Sequence, residues 1–499
     1  MRFRRARMLD LVSGRSSEPH DVIVSASRLY RSGPTTGPVS GDDEEIDLQG
    51  RYLVPGLWDS HVHADLWAQA SHRLELSSCP SFSQALTRLE AAANTSAHAD
   101  PLVALGARLD RWPDDPDDER LDALFPDRAV LVCGRDLHSV WANAAARRGA
   151  GLSQYRDATP RAGLAHEREA FALEREFVDV SEETLDAWFS RAAREAARKG
   201  IVGIVDMQEG PHRLRTWRRR IGSEPPSLRV RISCWPDSLQ EAVDEGITTG
   251  AALDEQGWLV GGPLKIIADG TLSSGTAWCS PSRAEPATGS GQSGSPLIGH
   301  GELSGLMSQA EVHGLQVAVH AIGDAAVTQV VDCFAESGAR GSIEHVILAA
   351  PGDLRRMGAL GLQASVQPAH LLDDRELVDR GWPDRAEQAF AFRSCLDAGV
   401  ELRFGSDAPV APLDPWLAIS TAVLRGGPDG PSWHPEQALT LSEAMRASTG
   451  GVGQLVPGGP ADLMVLDEDP FTVEPERLGA GDVYLTMAAG HTTWWADAA

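Results

Sequence analysis

The stretch LWDSHVH, residues 57–63, is a short apolar run that closes on two histidines. Successive side chains on a strand point to opposite faces, so His61 and His63 share a face, where two neutral imidazole nitrogens can grip one metal ion. Seven further runs of the same style follow: IVGIVD (201–206), LRVRISCW (228–235), LKIIAD (264–269), LQVAVH (315–320), GSIEH (341–345), LQASVQ (362–367) and LRFGSD (402–407). Most are separated by helix-like segments such as AVTQVVDCFAESGA. Eight strands alternating with helices predict an α/β fold with a parallel sheet, either a closed barrel or an open, doubly wound one. The polar residues favour the barrel. His63, Asp206, Asp269, His320, His345 and Asp407 each close a run, and a TIM-like (β/α)8 barrel collects the C-terminal ends of its strands at one active-site face.

An isolated H-x-H is often accidental, and any single histidine at a strand end can be a structural one. Here His61 and His63 on the first strand are joined by His320, His345 and Asp407 at the ends of the fifth, sixth and eighth. Five metal-type residues at strand ends predict a metal site at the mouth of the barrel.

Outward from this core, the N-terminal segment holds short strand-like runs, RFRRARML, DVIVSAS and EEIDLQGRYLV, broken by SGRSSEP and SGPTTGPVSGDD. The C-terminus repeats that style in ADLMVLDEDPF and DVYLTMAAGHTTWW. Chain ends of a domain commonly lie close together, so residues 1–55 and 457–499 are expected to pair into a small composite β domain around a barrel spanning 56–456. The interval after the first strand is too long for one helix and carries its own strand-like runs, LVALGARL and AVLVC. Residues 64–165 are read as an insertion over the active-site face, and TGSGQSGSPLIGHG (288–301) as a Gly/Ser loop after the fourth strand.

The totals narrow the function classes. The chain has 499 residues and a formal net charge of −26, which repels phosphate backbones and anionic membrane surfaces. Nucleic acid and membrane are therefore not expected partners. Six cysteines without a C-x-x-C pair read as buried thiols in a reducing compartment, and MRFRRARMLDLVSG lacks an apolar leader core, so a cytoplasmic location is expected.

Nine stretches together carry a family resemblance: YLVPGLWDSHVH, LVCGRDLHSVWANAAA, GIVGIVDM, LKIIADGTLSSGTAW, VAVHAIGDAAV, IEHV, SVQPAHLLDD, GSDAPVAPLDPW and ADLMVLDEDPF. On these the chain resembles the amidohydrolase superfamily, specifically amidohydrolase family 3, the YtcJ-like branch, over nearly its whole length. The resemblance implies a β-sandwich built from both termini on a TIM-like barrel. It also implies one or two divalent ions, usually zinc, on the residues matching His61, His63, His320, His345 and Asp407. Hydrolysis of amide or other non-peptide carbon–nitrogen bonds of a small molecule follows from it, and a homodimer rests on the resemblance alone.

Lys265 stands where this family carries a lysine that can be carboxylated to bridge two metals. Lys265 and Asp269 share a face of one strand but lie about 13 Å apart, so both cannot make the same metal contact, and Lys265 is taken as the ligand. His138, Trp141 and Asn143 in LHSVWANAAA match a segment that lines the family's site, although such a cluster can equally serve packing and helix capping. His370, past the seventh strand, is a candidate to meet a substrate carbonyl. The expected chemistry is attack by a metal-activated hydroxide, with Asp407 moving the proton and His320 or His345 stabilising the tetrahedral intermediate. A deaminase or cyclic-amide hydrolase would use the same site, and a non-catalytic ligand-binding relative would not need all five metal-type residues.

Overall fold

The computed structural model describes residues 1–25, 27–31, 44–94, 101–109, 112–114, 116–135, 139–152, 164–166, 168–177, 180–210, 212–223, 226–281, 294–427, 430–474, 477 and 483–498. The eight runs form one parallel sheet: β1 (Leu57–Val62), β2 (Ile201–Asp206), β3 (Arg229–Cys234), β4 (Leu259–Ile267), β5 (Val317–Ala321), β6 (Gly341–His345), β7 (Gln363–Val366) and β8 (Glu401–Phe404). Strands adjacent in this order are hydrogen-bonded neighbours. The ring closes between β8 and β1, where the Asp407 N–H donates to the His61 carbonyl at 2.8 Å and the His63 N–H to that of Ala408 at 3.0 Å. The fold is a TIM-like (β/α)8 barrel.

The sequence of each strand fits its place. All six residues of β2 are buried, as a parallel strand covered on both faces requires. β4 begins five residues before the run LKIIAD because Gly261 and Gly262 belong to it. A Cβ on Gly261 would stand 2.2 Å from the Thr248 carbonyl oxygen and one on Gly262 2.6 Å from Ile232, so these glycines permit close backbone approach inside a strand.

Both chain ends build a second, nine-stranded sheet. Its main order runs His491–Trp495, Val483–Ala488, Leu463–Leu466, Tyr52–Pro55, Arg2–Asp10, His20–Ser25 and Arg28–Arg31. Arg2–Asp10 belongs to both halves: it pairs antiparallel with His20–Ser25 and, past a register shift between Phe3 and Ala6, parallel with Tyr52–Pro55. Phe3, Val22, Leu53, Leu463 and Leu485 bury themselves in one core common to the two halves. Thr486 ties this domain to the barrel by donating to the Ala197 carbonyl at 2.7 Å.

Residues Asp65–Phe189 form a separate compact unit. Its five-stranded sheet runs Leu164–His166, Ser139–Ala142, Val130–Gly134, Leu102–Ala107 and Leu74–Glu75, with Phe82, Leu86, Trp112, Val132 and Trp141 in its core. All of SGPTTGPVSGDD and residues 288–293 of the Gly/Ser segment lie outside the described residues. All six cysteines are free. Among the described residues no helix is long and apolar enough to cross a membrane.

Candidate metal centre

The strand ends bring the predicted residues together. His61 Nε2 and His63 Nε2 stand 3.5 Å and 3.2 Å from Asp407 Oδ1. Two ligands held tetrahedrally about 2.0–2.1 Å from one ion are themselves about 3.3 Å apart, so these separations suit three donors around a single cation. His345, His370 and Asp407 form a second trio whose donor atoms lie within 4.8 Å of one another. The His320 ring centroid is 4.4 Å from that of His345, which is 5.0 Å from that of His61.

His61, His320 and His345 each have one nitrogen fixed by an acceptor, which leaves the other as a lone pair. His61 Nδ1 donates to Glu344 Oε2 at 2.7 Å, and His345 Nδ1 to Gln367 Oε1 at 2.8 Å. His320 donates from Nε2 to the Gly270 carbonyl at 3.3 Å, so its Nδ1 is the free donor atom. Such partners set the tautomer and aim of metal-binding histidines. Glu344→Ala is expected to weaken metal affinity by roughly 10–100-fold. Competition against a chelating dye would measure it, and wild-type affinity would show that Glu344 does not orient His61.

The charge states suit the same purpose. Burial, with Lys265 nearby, holds His61 below its ordinary value and pushes His320 down to about 3; burial and His320 keep His345 well below its own. Burial thus favours the neutral form of these three imidazoles. Burial pushes the Asp407 carboxyl up, but His61, His63 and His345 outweigh it and hold the group well below the usual carboxylate range. Neutral imidazoles beside an ionised carboxylate are the protonation states that a divalent ion requires. Lys265, 2% exposed, is lowered by burial against the pull of Glu344 and Asp407, and its Nζ has no hydrogen-bond partner among the described residues. An unpartnered amine whose burial disfavours the charged form suits a role toward an ion better than a plain buried ammonium does.

The family then follows from comparison. The model of the amidohydrolase family matches residues 44–493. The chain belongs to the amidohydrolase family. It is similar to the putative amidohydrolase YtcJ of Bacillus subtilis (strain 168), 27% identical over 492 residues covering 91% of each protein. It is also similar to the N-substituted formamide deformylase of Arthrobacter pascens, 24% identical over 535 residues covering 96% of this chain and 95% of that one. A metal-dependent hydrolase from Pyrococcus horikoshii OT3 shares the fold, with a TM-score of 0.79 at 23% identity over 95% of this chain and 98% of the other. The protein is thus an enzyme of the class acting on carbon–nitrogen bonds other than peptide bonds.

Within this amidohydrolase, the remaining strand-end carboxylates serve structure. Asp206 binds Arg213 at 2.5 Å and Trp217 at 2.8 Å and accepts from the Ala64 N–H, which fixes the chain just past His63. Asp269 accepts from the N–H groups of Trp278, Ile322 and Gly323 and so ties the β4 and β5 loops together; burial pushes it up to about 7.

Sequence reasoning missed Glu344, Gln367 and Asp59. Asp59 is 4% exposed and accepts from the N–H groups of both His61 and Ser406, pinning the strands that carry His61 and Asp407 to each other. The signal was present: an acidic side chain inside an otherwise apolar strand needs a buried partner.

At the same seam Gly405 has no room for a side chain, since a Cβ would lie 2.7 Å from the His61 backbone nitrogen and 2.8 Å from its Cβ. Gly405→Ala should therefore cost about 1–3 kcal/mol and lower Tm. A variant as stable as the wild type would show that the seam can open without harm.

Trp141 and Asn143 belong to the separate unit. Asn143 caps the helix Ala144–Gly149 by accepting from the Ala146 N–H, and it donates to the carbonyls of Phe125 and Arg128. Trp141 is fully buried and donates to Asp118 at 2.7 Å. His138 lies outside the described residues. His370 stands with the metal-type cluster, its Nε2 3.9 Å from Asp407 Oδ2.

Proposed function

We propose that this amidohydrolase cleaves a non-peptide, amide-type carbon–nitrogen bond of a small molecule with one or two zinc ions. The convergence of His61, His63 and Asp407 donor atoms carries the reading. These three would hold one ion, and Lys265, His320 and His345 would hold a second; nitrogen and carboxylate donors of this kind are typical zinc ligands. Bound there, zinc supplies Lewis acidity toward the scissile carbonyl and lowers the pKa of a water it holds. Asp407 takes the proton of the attacking water on a carboxylate oxygen and returns it to the departing nitrogen. His370 orients the substrate carbonyl from beside Asp407.

Lys265 is proposed to react with carbon dioxide: its neutral amine forms the carbamate N–C bond and releases one proton. The unpartnered Nζ in a buried, polar cluster supports this. Lys265→Ala should lose the second ion and keep the first, and the carbamate carbon should appear in the wild type by carbon-13 NMR after exposure to labelled bicarbonate. Two ions retained in the variant would overturn the bridging role.

Similarity along nearly the whole chain to an N-substituted formamide deformylase supports small N-acyl substrates. The test is metal analysis followed by a screen of N-substituted formamides, N-acyl amino acids and cyclic amides. One to two equivalents of zinc, activity lost on chelation and restored by zinc, and release of an amine with a carboxylate are expected. Turnover by chelated, metal-free protein would refute the reading. Release of ammonia from an amidine-type carbon would assign the site to deamination instead.

A further inference from the structure

A TIM-like barrel is ordinarily filled with layers of branched apolar side chains. The N-terminal mouth of this one departs from that pattern. Pairing places Arg229 opposite Gly203 and Arg231 opposite Val205 of β2, while Val205 packs against Ala318 inside the barrel. Arg403 continues the row that runs from Glu344 through Ser365, and Glu344 reaches His61 inside the barrel. All three arginines therefore face inward, Arg229 and Arg231 in the first half of β3 and Arg403 four residues before Asp407, on the side away from the metal centre.

Trp58 makes the floor between them. Gly203 leaves it room: a Cβ there would stand 2.6 Å from the indole ring. The Arg231 guanidinium lies 4.5 Å from the Trp58 ring centroid and that of Arg229 lies 5.8 Å away. Arg229 is ion-paired with Asp462 and also donates to the Gly257 carbonyl, and Arg403 pairs with Glu401 at 2.8 Å. Arg231 has no such partner: among the described residues nothing accepts a hydrogen bond from it. It is nevertheless exposed, although its neighbours on β3, Val230 and Ile232, are buried. An exposed side chain that faces into a barrel lines an opening that solvent can enter. Three guanidinium groups and two carboxylates leave one positive charge uncompensated there, in a chain whose net charge is −26.

We propose that Arg231, with Arg403 beside it and Trp58 beneath it, binds a small anion, a phosphate or a carboxylate, in the N-terminal mouth of the barrel. The planar fork of Arg231 can donate two parallel hydrogen bonds to such a group while its face stays stacked on the indole. Arg229 and Arg403 add long-range attraction, and the confined setting strengthens it relative to open water. Enclosure by the barrel walls, together with these two arginines and against the pull of Asp462, lowers the Arg231 guanidinium from its ordinary value even though its surface stays open to solvent, a cost that a bound anion relieves.

The experiment titrates the metal-loaded enzyme with inorganic phosphate, and separately with succinate, at constant ionic strength, following Tm and heat of binding. Saturable binding is expected for at least one of the two, and which one saturates identifies the anion class. Arg231→Met should weaken it at least about tenfold while leaving zinc content unchanged. Arg231→Lys, which keeps the charge and the fold but not the fork, should weaken it several-fold, which guards against a Met variant that fails to fold. Enzyme stripped of metal by chelation should bind the anion equally well, because phosphate could otherwise bind at the metal. Binding that survives both Arg231 variants, that disappears on removal of the metal, or that is absent for both anions overturns the site.

Discussion

Asp407→Asn is expected to lower kcat by roughly 10² to 10⁴ while most of the metal stays bound. The side chain keeps its shape and one coordinating oxygen, but an amide cannot take the proton of the attacking water. The surroundings make that loss decisive. Asp407 Oδ1 is within 3.5 Å of both His61 Nε2 and His63 Nε2, and its carboxyl is held well below the usual range by those imidazoles despite its burial. The carboxylate is thus fixed in position by its own backbone too, since the Asp407 N–H binds the His61 carbonyl and the residue adopts φ 58°, a conformation that costs non-glycine residues energy. Zinc content by mass spectrometry, set beside kcat on any substrate found in the screen, checks the result. Near wild-type kcat in the Asn variant would remove Asp407 from the proton path.

The double variant His61→Ala with His63→Ala is expected to lose the ion assigned to His61, His63 and Asp407, and activity with it. His61 is 1% exposed, and its Nε2 stands 3.5 Å from Asp407 Oδ1, so the two changes remove two of the three donors at that site. Removing His61 also leaves the buried Glu344 carboxylate without its imidazole donor, a cost of about 1–3 kcal/mol. The variant should therefore melt earlier as well as lose that ion. Comparing its zinc content with that of His63→Ala alone separates the two effects, because His63 is half-buried and its loss disturbs the barrel less. Full zinc occupancy in the double variant would show that the ion is held elsewhere.

The eight barrel strands were legible because each is a compact apolar run ending in a polar residue, as in IVGIVD and LRFGSD. β4 was read short, since Gly261 and Gly262 look like a turn until the backbones packed against them are known. The two-residue spacing of His61 and His63 could be turned directly into a shared face. The partner of His61 could not, for 283 residues separate it from Glu344 and no local pattern encodes that contact. The same distance problem hides why Asp206 and Asp269, which close their strands just as His320 does, end up holding loops and helices. Strand geometry said only that Lys265 and Asp269 cannot make the same metal contact, and the family resemblance favoured Lys265; the structure sets its Nζ among the buried polar groups while Asp269 is saturated by three backbone donors. The terminal β domain showed in its alternating runs, but the division of Arg2–Asp10 between two half-sheets depends on a register shift that no residue announces.

The seam between β8 and β1 has a bearing on how the enzyme is made in the cell. Asp59 and Ser406, which lock that seam, are 347 residues apart in the chain. At synthesis rates of about 5–20 residues per second, His61 and His63 leave the ribosome roughly 17–70 s before Asp407 exists. During that interval the nascent chain offers two histidines but no third donor to complete their site, so any ion they hold is weakly kept. With the ion held as proposed, its capture becomes a late event in the life of the polypeptide, timed by the arrival of the last strand, and an incomplete chain released early would compete poorly for metal.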